Sequence, residues 1–551
     1  RRDTMGFQVS PGVNVTEKDL TTIVPAVATT SAGIAGAFRW GPVGERVLVD
    51  SENNLRDIFG DPDKYTYNWF FTAANFLGYG NNLQVVRAVG ASAANANSAT
   101  VKGTTLGNRT DFDGNTLAFA SAEFIGKYPG HLGNSIRVIV FDNNGRTGEF
   151  GVSGETSLGA TAMKAYGGAP GSHRPLVQFQ HGDRILWSDG DVNTVNVSTM
   201  SGHTASGGWS ASNEPDGTYP AATINLIDPL TSTKADGTTF EIQNRYAQTF
   251  GSVPRTSDIC ADAGGTNDEM NIAIVDWDGK WTGKAGTLLE SYEGVSKAYN
   301  ATGFDGRDIY YKNVLNDQSK YVWARYNIAG LGATEQDTST TFSNITQQAD
   351  AGHYVDGDLH GIGSAGGAQS HGLIHGADAN QYGTLVDSMN VHGGSGGTLE
   401  NGQLWGAYKE FEDSETVDVS LILGAASDVT VQQLIIDMVD RRKDAVAFLS
   451  PVESAQSPAG LVENRPAGKA TTQVIDWRDN KLNKSSSYSV LDSGFKVMLD
   501  RYNNVLRHVP LNGDIAGLCA RTEREQEAWY SPAGFNRGQI RGVVKLDLNP
   551  R

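Results

Sequence analysis

Histidine is concentrated in one stretch of the chain, and imidazole is the side chain most often used to bind transition metals. Of the ten histidines, five lie within residues 353–392: His353, His360, His371, His375 and His392. Asp356, Asp358 and Asp378 lie among them. On a helix, His371 and His375 would share one face, as a zinc site requires. The stretch is rich in glycine, however, and no Glu follows His371. A solvated or interface loop is therefore favoured, with His371 and His375 as weak metal candidates.

Three other motifs of catalytic or binding sites occur without their required context. Residues 361–366 fit G-x-G-x-x-G and residues 393–397 fit G-x-S-x-G. Neither stands between a predicted strand and a predicted helix, as a dinucleotide site or a nucleophile elbow does. Asp189, Asp191 and Asn193 alternate as in a calcium loop but lack its glycine and distal glutamate. The sequence thus predicts no catalytic residue, no cofactor and no enzymatic activity.

Composition limits the possible partners of the chain. Its 551 residues carry a net charge of −18, which repels a phosphate backbone and disfavours nucleic-acid binding. No apolar run approaches the roughly 18 residues that cross a bilayer, so no membrane insertion is expected. The first residues, RRDTMGFQVSPG, lack the apolar segment of a secretory signal. The two cysteines, Cys260 and Cys519, are predicted to be reduced.

Two stretches far apart in the chain have helix and strand patterns of the α/β type. In the first, residues 46–49 form a strand, Ser51 caps a helix that Gly60 ends, and an apolar helix stripe over residues 69–77 precedes a buried strand at residues 83–89. In the second, strands at 419–423 and 445–449 flank a helix capped by Asp428, whose last turn is basic. Strand, helix and strand within about 33 residues predict a βαβ unit, and hence a parallel or mixed sheet.

Between these stretches the chain predicts a second set of elements. A strand is expected at residues 135–141 and another at 272–275, followed by a helix around residues 286–297. Residues 150–261 are rich in Gly, Ser, Thr, Asp and Asn, with short apolar runs between turn signals. They are interpreted as a β-rich insertion on the outer surface.

The N-terminal segment has the pattern of an extended arm. Phe7, Val9, Val13 and Val15 are spaced for one face of a strand, interrupted by Pro11 and Gly12. An alternating terminal strand leaves backbone groups available for pairing with a neighbouring chain. A frayed terminus or a local edge strand fits the same pattern.

Two long blocks resemble the contractile-tail sheath proteins of bacteriophages. The first block consists of Ser10-Pro11-Gly12-Val13, GAFRWGP at residues 36–42 and NFLGYGNNLQVVRAV at 75–89. The second consists of Val509-Pro510-Leu511, GDIAG at 513–517, WYSPAG at 529–534 and NRG at 536–538. The likeness is strongest over residues 5–90 and 408–548 and moderate over 124–141 and 271–323. It favours the interpretation of the N-terminal segment as an arm that pairs with a neighbour.

The resemblance implies a multidomain α/β (α+β) fold with nested β-rich insertions. The expected units are an arm at 1–30, a discontinuous core at 31–89 and 400–551, a second α/β domain at 90–149 and 262–345, a surface insertion at 150–261 and a Gly/His-rich loop region at 346–399. Sheath proteins of this group continue beyond the block ending at Leu548. By this likeness a further domain and a C-terminal arm would be missing after Arg551.

The function implied by the resemblance is mechanical. Subunits made in the host cytoplasm would form hexameric rings, stacked as a helical polymer around the tail tube of the virion. The baseplate and the tail terminator are further implied partners. Contraction would drive the tube through the host envelope and eject the genome.

The second block also supplies the candidate functional residues. They are Asp514, Gly517, Arg521, Trp529, Pro532, Gly534, Arg537 and Gly538. The glycines would permit tight turns and close backbone approach. Arg521, Arg524 and Arg537 are expected to form ion pairs, within or between subunits, with the neighbouring acids Asp514, Glu523, Glu525 and Glu527.

Two alternative functions use other parts of the chain. A hydrolase or metal-dependent depolymerase acting on the host surface would use residues 150–261 and 353–392. A static shell or adhesin component would bind a host receptor through the central insertion. The two long blocks favour the sheath.

Overall fold

The computed structural model describes residues 30–546, apart from 92, 97–104, 116–123, 142–145, 153, 168–181, 197–221, 244, 256, 259–268, 297–300, 325–369, 373–398, 453–469 and 493. The predicted arm residues Phe7, Val9, Val13 and Val15 lie outside these ranges, as do Cys260, His353, His360, His375 and His392.

Strands make up five sheets in the described ranges. The strands are β1 (Ala32–Gly36), β2 (Arg46–Val49), β3 (Leu83–Arg87), β4 (Phe124–Gly126), β5 (Ile136–Phe141), β6 (Arg146–Val152), β7 (Ala162–Gly167), β8 (Arg184–Trp187), β9 (Val192–Thr194), β10 (Ala222–Asn225), β11 (Thr239–Gln243), β12 (Glu269–Asp276), β13 (Thr287–Ser296), β14 (Val322–Ala324), β15 (Ser370–Gly372), β16 (Leu421–Leu423), β17 (Val446–Leu449), β18 (Ser489–Leu491), β19 (Phe495–Asp500), β20 (Val505–Pro510) and β21 (Lys545–Leu546). The mixture of helices and several sheets is α+β.

Helices pack against these sheets. The α-helices of the described ranges are α1 (Glu52–Phe59), α2 (Tyr67–Leu77), α3 (Arg109–Asn115), α4 (Tyr311–Gln318), α5 (Asn401–Tyr408), α6 (Val429–Arg442), α7 (Ala470–Asp476) and α8 (Asn512–Glu525).

The largest core surrounds a six-stranded sheet with the order β18-β17-β16-β1-β3-β2. Every neighbouring pair is parallel except β2 with β3. Strands from both ends of the chain therefore hydrogen-bond within one sheet. Central strands such as β1 and β16 are buried over their whole length and have continuous apolar sequences, as expected for a parallel sheet covered on both faces.

The helix signals at the start of the chain are confirmed. The Ser51 side chain accepts a hydrogen bond from the Asn54 N–H, and Gly60 ends α1 with a φ of 78°. In α2 the predicted apolar stripe is core, but the helix is buried on nearly every side. The aromatic side chains of α2 therefore pack against several neighbouring elements, one of which is the C-terminal block.

The predicted βαβ unit is also confirmed. Strands β16 and β17 are parallel, and α6 connects them. The Asp428 side chain caps α6 by accepting a hydrogen bond from the Thr430 N–H, and Lys443 closes it with a left-handed φ of 63°. This unit fixes the carboxyl ends of two core strands, where the candidate site lies.

The predicted helix around residues 286–297 is wrong, because that segment is strand β13. It pairs antiparallel with β12 over the length of both strands, in the sheet order β13-β12-β5-β15. Beyond Glu269, β12 is entirely buried, so an uncovered edge would leave buried backbone groups without hydrogen bonds. Gly294 has a φ of 65° and donates its N–H to the Asn271 side chain, a geometry that an α-helix excludes. Tertiary pairing thus overrides the helical propensity of Leu and Glu.

The central insertion contains an antiparallel six-stranded sheet with the order β10-β7-β6-β11-β8-β9. Its own apolar cluster includes Trp187, Ile224 and Phe240. The predicted apolar runs at residues 185–187 and 223–227 coincide largely with β8 and β10, whereas the run at 177–179 lies outside the described residues.

A buried arginine ties the core sheet to the segment that precedes the second sheet. The Arg87 guanidinium, at the end of β3, donates to the carbonyls of Phe38 at 2.9 Å and Gly41 at 2.8 Å. It also donates to Arg39 at 3.3 Å and to Pro129 at 2.6 Å. Burial lowers the pKa of Arg87 to about 9. Because one side chain satisfies carbonyls from both segments, it fixes their relative position.

Candidate functional site

The carboxyl edge of the parallel sheet is where α/β proteins place ligands, at the point where strand order reverses. Here that point lies between β1 and β16. The Tyr408 hydroxyl, from α5, donates to the carbonyl of Leu423 at 2.7 Å. Trp69 covers the end of β1, where a Cβ on Gly36 would lie 2.0 Å from the indole Cδ1. The chain's own aromatic side chains therefore fill the position that a ligand would take.

Polar side chains continue along the same edge and join it to α8. The Asn512 side-chain amide donates to the Ala425 carbonyl and to Ser450 Oγ, both at 2.9 Å. Ser450 Oγ in turn donates to Asp492 Oδ2 at 2.6 Å. The Gly494 N–H donates to the other Asp492 oxygen at 2.8 Å. Burial raises the pKa of Asp492 to about 8, and the Asp514 carboxylate adds to that rise.

Replacing Asp492 with asparagine is expected to stabilise the protein at pH 8 by about 1–2 kcal/mol. The folded-state pKa lies above the ordinary value of 3.8, so the folded protein retains a proton that the unfolded chain loses. Stability of the natural chain therefore falls as pH rises from about 4 to about 8. Urea unfolding at several pH values should show the variant's advantage growing across that interval. A constant difference between the two proteins would contradict this assignment.

A buried ion pair holds α8 against the sheet of β19, β20 and β21. Lys496 Nζ lies 2.9 Å from Asp514 Oδ1, and each side chain is only 1% exposed. The Tyr79 hydroxyl donates to the same carboxylate oxygen at 3.2 Å. Burial raises the pKa of Asp514, and the Lys496 ammonium opposes that rise. Burial and the Asp514 charge raise the pKa of Tyr79 to about 12, so it stays a hydrogen-bond donor.

Tyr79 also organises the surface above this ion pair. A Cβ on Gly517 would lie 2.6 Å from the Tyr79 ring, so only glycine lets α8 approach it. The guanidinium carbons of Arg521 and Arg541 lie 5.4 Å and 5.2 Å from the ring centroid. The Arg541 backbone N–H donates to the Tyr79 hydroxyl oxygen at 2.7 Å. Three predicted site residues, Asp514, Gly517 and Arg521, thus meet at one tyrosine.

The other predicted residues of the block lie on the exposed segment after α8. Trp529 is 78% exposed, and its ring lies 4.3 Å from that of Tyr530. The Gly538 N–H donates to the Gly534 carbonyl at 2.9 Å, closing a turn in which Gly534 has a φ of 99°. A Cβ on Gly538 would also lie 3.1 Å from the Pro532 carbonyl oxygen. These residues shape a surface rather than a pocket.

The ion pairs expected in this block are found in part within the described chain. Asp514 pairs with Lys496, which lies on strand β19, and not with an arginine of the block. Arg521 donates to the backbone carbonyl of Arg537. Arg524 approaches its neighbour Glu525 at 3.9 Å. The carboxylate of Asp514 is buried, where surface arginines do not reach, and this explains the difference.

The weak metal candidates predicted from the sequence are His371 and His375. Among the described residues, no group of three or more His, Cys, Asp or Glu side chains is placed to hold a metal ion. The backbone of His371 lies in β15, whereas His375 lies outside the described residues. Within the same described ranges, no helix is both long and apolar enough to cross a membrane.

The Lys234 ammonium binds the two aspartates of the calcium-like pattern. Lys234 Nζ lies 2.5 Å from Asp189 and 3.0 Å from Asp191, and its side chain is buried. Asn193 faces the Trp187 indole instead, accepting its N–H at 2.8 Å. Hydrogen bonds from Thr231 and then Lys234 lower the pKa of Asp191 to about 2. The pattern is therefore explained by an internal lysine.

Sequence reasoning missed Lys496 and Asp492. Lys496 sits in an ordinary alternating strand, and Asp492 follows another strand directly. The position of Asp492 just after a strand was the one available signal, because strand carboxyl ends converge at a single sheet edge.

Comparisons with known proteins bear on this arrangement. Residues 29–88 match the family model described as the N-terminal region of domain III of the tail sheath protein Gp18. The chain is 28% identical to the tail sheath protein of Vibrio phage KVP40, covering 98% of this chain and 78% of that protein. It is 26% identical to the tail sheath protein of Enterobacteria phage T4, covering 98% and 77%.

A solved sheath tail protein from Desulfitobacterium hafniense aligns over 93% of this chain and 62% of its own, with a TM-score of 0.32 and 10% identity. That similarity is too low to support an argument about shared structure. The two sequence relatives, in contrast, span nearly the whole chain. The chain is thus similar over nearly its whole length to structural subunits of bacteriophage tails. All of these relatives are tail sheath proteins, so the resemblance found in the sequence is confirmed.

Proposed function

We propose that this chain polymerises as stacked hexameric rings around the tail tube and contracts to drive that tube through the host envelope. The observation that carries the proposal is the similarity to curated tail sheath proteins over 98% of the chain. The baseplate and the tail terminator are the further partners of such a polymer. Head-to-tail contacts that do not close generate a helical filament, which this arrangement requires.

Contraction requires two packings of the same subunits, of which the contracted one has the lower free energy. About 2 kcal/mol per subunit, repeated over many copies, far exceeds the roughly 5.5 kcal/mol that switches a single two-state unit. The work is then stored in contacts between subunits. Rigid subunits suit this use, and the buried contacts of Arg87 and Lys496 support rigidity.

The proposed division of the chain keeps the units expected from the sequence. Residues 31–89 and 400–551 form the core domain, and residues 90–149 and 262–345 form the second domain. The shared six-stranded sheet supports the first pairing, because its strands come from both ends of the chain. The pairing of β12 with both β5 and β13 supports the second pairing, and β15, from the region 346–399, adds a strand beside β5. The separate sheet within residues 146–243 supports a β-rich insertion.

We infer that the chain performs no catalysis. The support is chemical, because Tyr408 and Trp69 fill the sheet edge where an α/β enzyme would bind its substrate. Next to them, the Asn512 side-chain nitrogen and the Asp492 carboxylate have partners from the chain itself. A turnover assay of the purified polymer on host-surface glycans tests this inference, and hydrolysis would overturn it.

Deleting residues 5–24 is expected to leave the core folded and to abolish polymerisation. Phe7, Val9, Val13 and Val15 would pair with a neighbouring subunit as an added strand, and the deletion removes them. Negative-stain microscopy should show striated tubes of fixed bore for the natural chain and none for the variant. Thermal unfolding should be unchanged, because the deletion leaves the described core intact.

A substitution control tests whether one face of the arm is needed for polymerisation, without shortening the arm. Changing Gln8 and Asn14 to alanine alters the opposite face of an alternating strand and should leave the tubes intact. Changing Val9 and Val13 to serine should prevent tube formation. Intact tubes from the deletion variant would show that the arm does not link subunits.

A further inference from the structure

The segment that follows α8 has the opposite charge to the chain that carries it. Residues 529–546, here called the basic strap, contain Arg537, Arg541 and Lys545 and no Asp or Glu, although the whole chain has a net charge of −18. A basic surface on an acidic protein is complementary to the rest of the same molecule. A second copy is therefore a fitting partner for it.

The basic strap is held in place and yet exposes large apolar side chains. The Arg541 guanidinium donates to the Gly78 carbonyl at 2.5 Å, and Lys496 donates to the Arg541 carbonyl at 2.9 Å. Trp529 is 78% exposed and Phe535 is 87% exposed. Exposed aromatic side chains on an ordered backbone are typical of interface residues that contribute most of the binding energy, because little conformational entropy is lost on docking.

An acidic counterpart lies in the loop between α5 and β16. Residues 410–418, here called the acidic loop, contain five acids and no Lys or Arg: Glu410, Glu412, Asp413, Glu415 and Asp418. A hydrogen bond from Thr416 lowers the pKa of Asp413, which keeps that carboxyl ionised. The Arg442 guanidinium donates to the carbonyls of Phe411 and Val417, which fixes the loop. The loop is therefore an ordered negative surface.

Within one copy the two surfaces make separate contacts. Glu410 and Glu412 of the acidic loop pair with Arg46 and Arg441. The polar contacts of the basic strap go instead to Gly78, Tyr79, Lys496 and Arg521. In the described part of the chain, Asp413, Glu415 and Asp418 have no ion pair with Lys or Arg side chains within 4.0 Å. These three acids remain for a partner.

We propose that the basic strap of one copy docks on the acidic loop of the next copy. The contact joins two different surfaces, so it is head-to-tail and continues from subunit to subunit without closing on itself. This inference rests on the proposed polymerisation and names one of its contacts. The charge complementarity comes from Arg537 and Lys545. The apolar surface buried on docking comes from Trp529 and Phe535.

Charge reversal in the full chain tests the contact. One variant carries Arg537→Glu and Lys545→Glu in the basic strap, and the other carries Glu415→Lys and Asp418→Lys in the acidic loop. Neither change touches the buried pair of Lys496 and Asp514. Each variant alone should show an association constant at least about tenfold lower, measured by sedimentation, because like charges then face each other. The loss should shrink at high salt.

Mixing the two variants should restore association, because each reversed surface then meets an opposite charge. A chain carrying all four substitutions should also associate like the natural one. If either double-substitution variant alone associates like the natural chain, the proposed contact is wrong. It is also wrong if both variants are defective and mixing them does not restore association. A natural chain that stays monomeric overturns the polymer itself, which distinguishes that failure from a wrong contact.

An aromatic substitution tests the apolar half of the same contact. Trp529→Ala should lower the association constant by about 30-fold, the effect of a residue that dominates an interface. Phe304→Ala is the matched control, because Phe304 is a fully exposed aromatic residue in a hairpin turn of the second half of the chain. Equal effects of the two substitutions would show that exposed aromatic area in general, and not the basic strap, drives association.

Discussion

Replacing Lys496 with methionine is expected to lower the free energy of unfolding by about 3–5 kcal/mol. The substitution keeps most of the side-chain volume but leaves the Asp514 carboxylate buried without its ammonium partner. It also removes a donor to the Arg541 carbonyl. The loss should be smaller at acidic pH, because protonation of Asp514 then removes the unpaired charge. Urea unfolding followed by circular dichroism measures both effects.

Two control variants test whether the loss of stability comes from the burial of the Asp514 charge. Arg478→Met breaks an exposed ion pair with Asp479 and should cost less than about 1 kcal/mol. The double variant Lys496→Met with Asp514→Leu should recover much of the loss, because no unpaired charge remains. A Lys496→Met protein as stable as the Arg478→Met protein would show that the pair does not hold α8 in place.

Local elements with strong sequence signals were predicted well. The cap at Ser51, the stop at Gly60 and the βαβ unit capped by Asp428 depend on residues within a few positions of each other. Such signals are readable because the hydrogen bonds they create are local. The similarity to tail sheath proteins was likewise predicted, from residue blocks at the two ends of the chain.

Features that depend on distant partners were not predicted. The segment forming β13 has residues compatible with a helix, and its pairing with β12 makes it a strand. Asp514 was selected as a candidate site residue, but its partner Lys496 lies 18 positions earlier on a different element. A lysine in a strand is ordinarily a surface residue, so its burial follows from the tertiary fold alone. The Asp492 environment has the same origin.

Replacing Gly513 with alanine is expected to destabilise the protein by about 2–3 kcal/mol, although alanine favours helices. A Cβ at this position in α8 would lie 2.3 Å from the backbone carbonyl oxygen of Thr72 in α2, a group that cannot rotate away. Moving α8 outward would also strain the adjacent contacts of Asp514. Thermal and urea unfolding measure the loss.

Gly406 in α5 provides the matched control for that glycine. A Cβ there meets nothing within 4 Å, so Gly406→Ala should stabilise the protein by up to about 1 kcal/mol through helix propensity. The two substitutions are chemically identical and both lie in helices, so opposite signs would isolate the close approach of α8 to α2. A gain in stability from Gly513→Ala would show that the two helices do not pack this closely, and the position of the basic strap above them would then need revision.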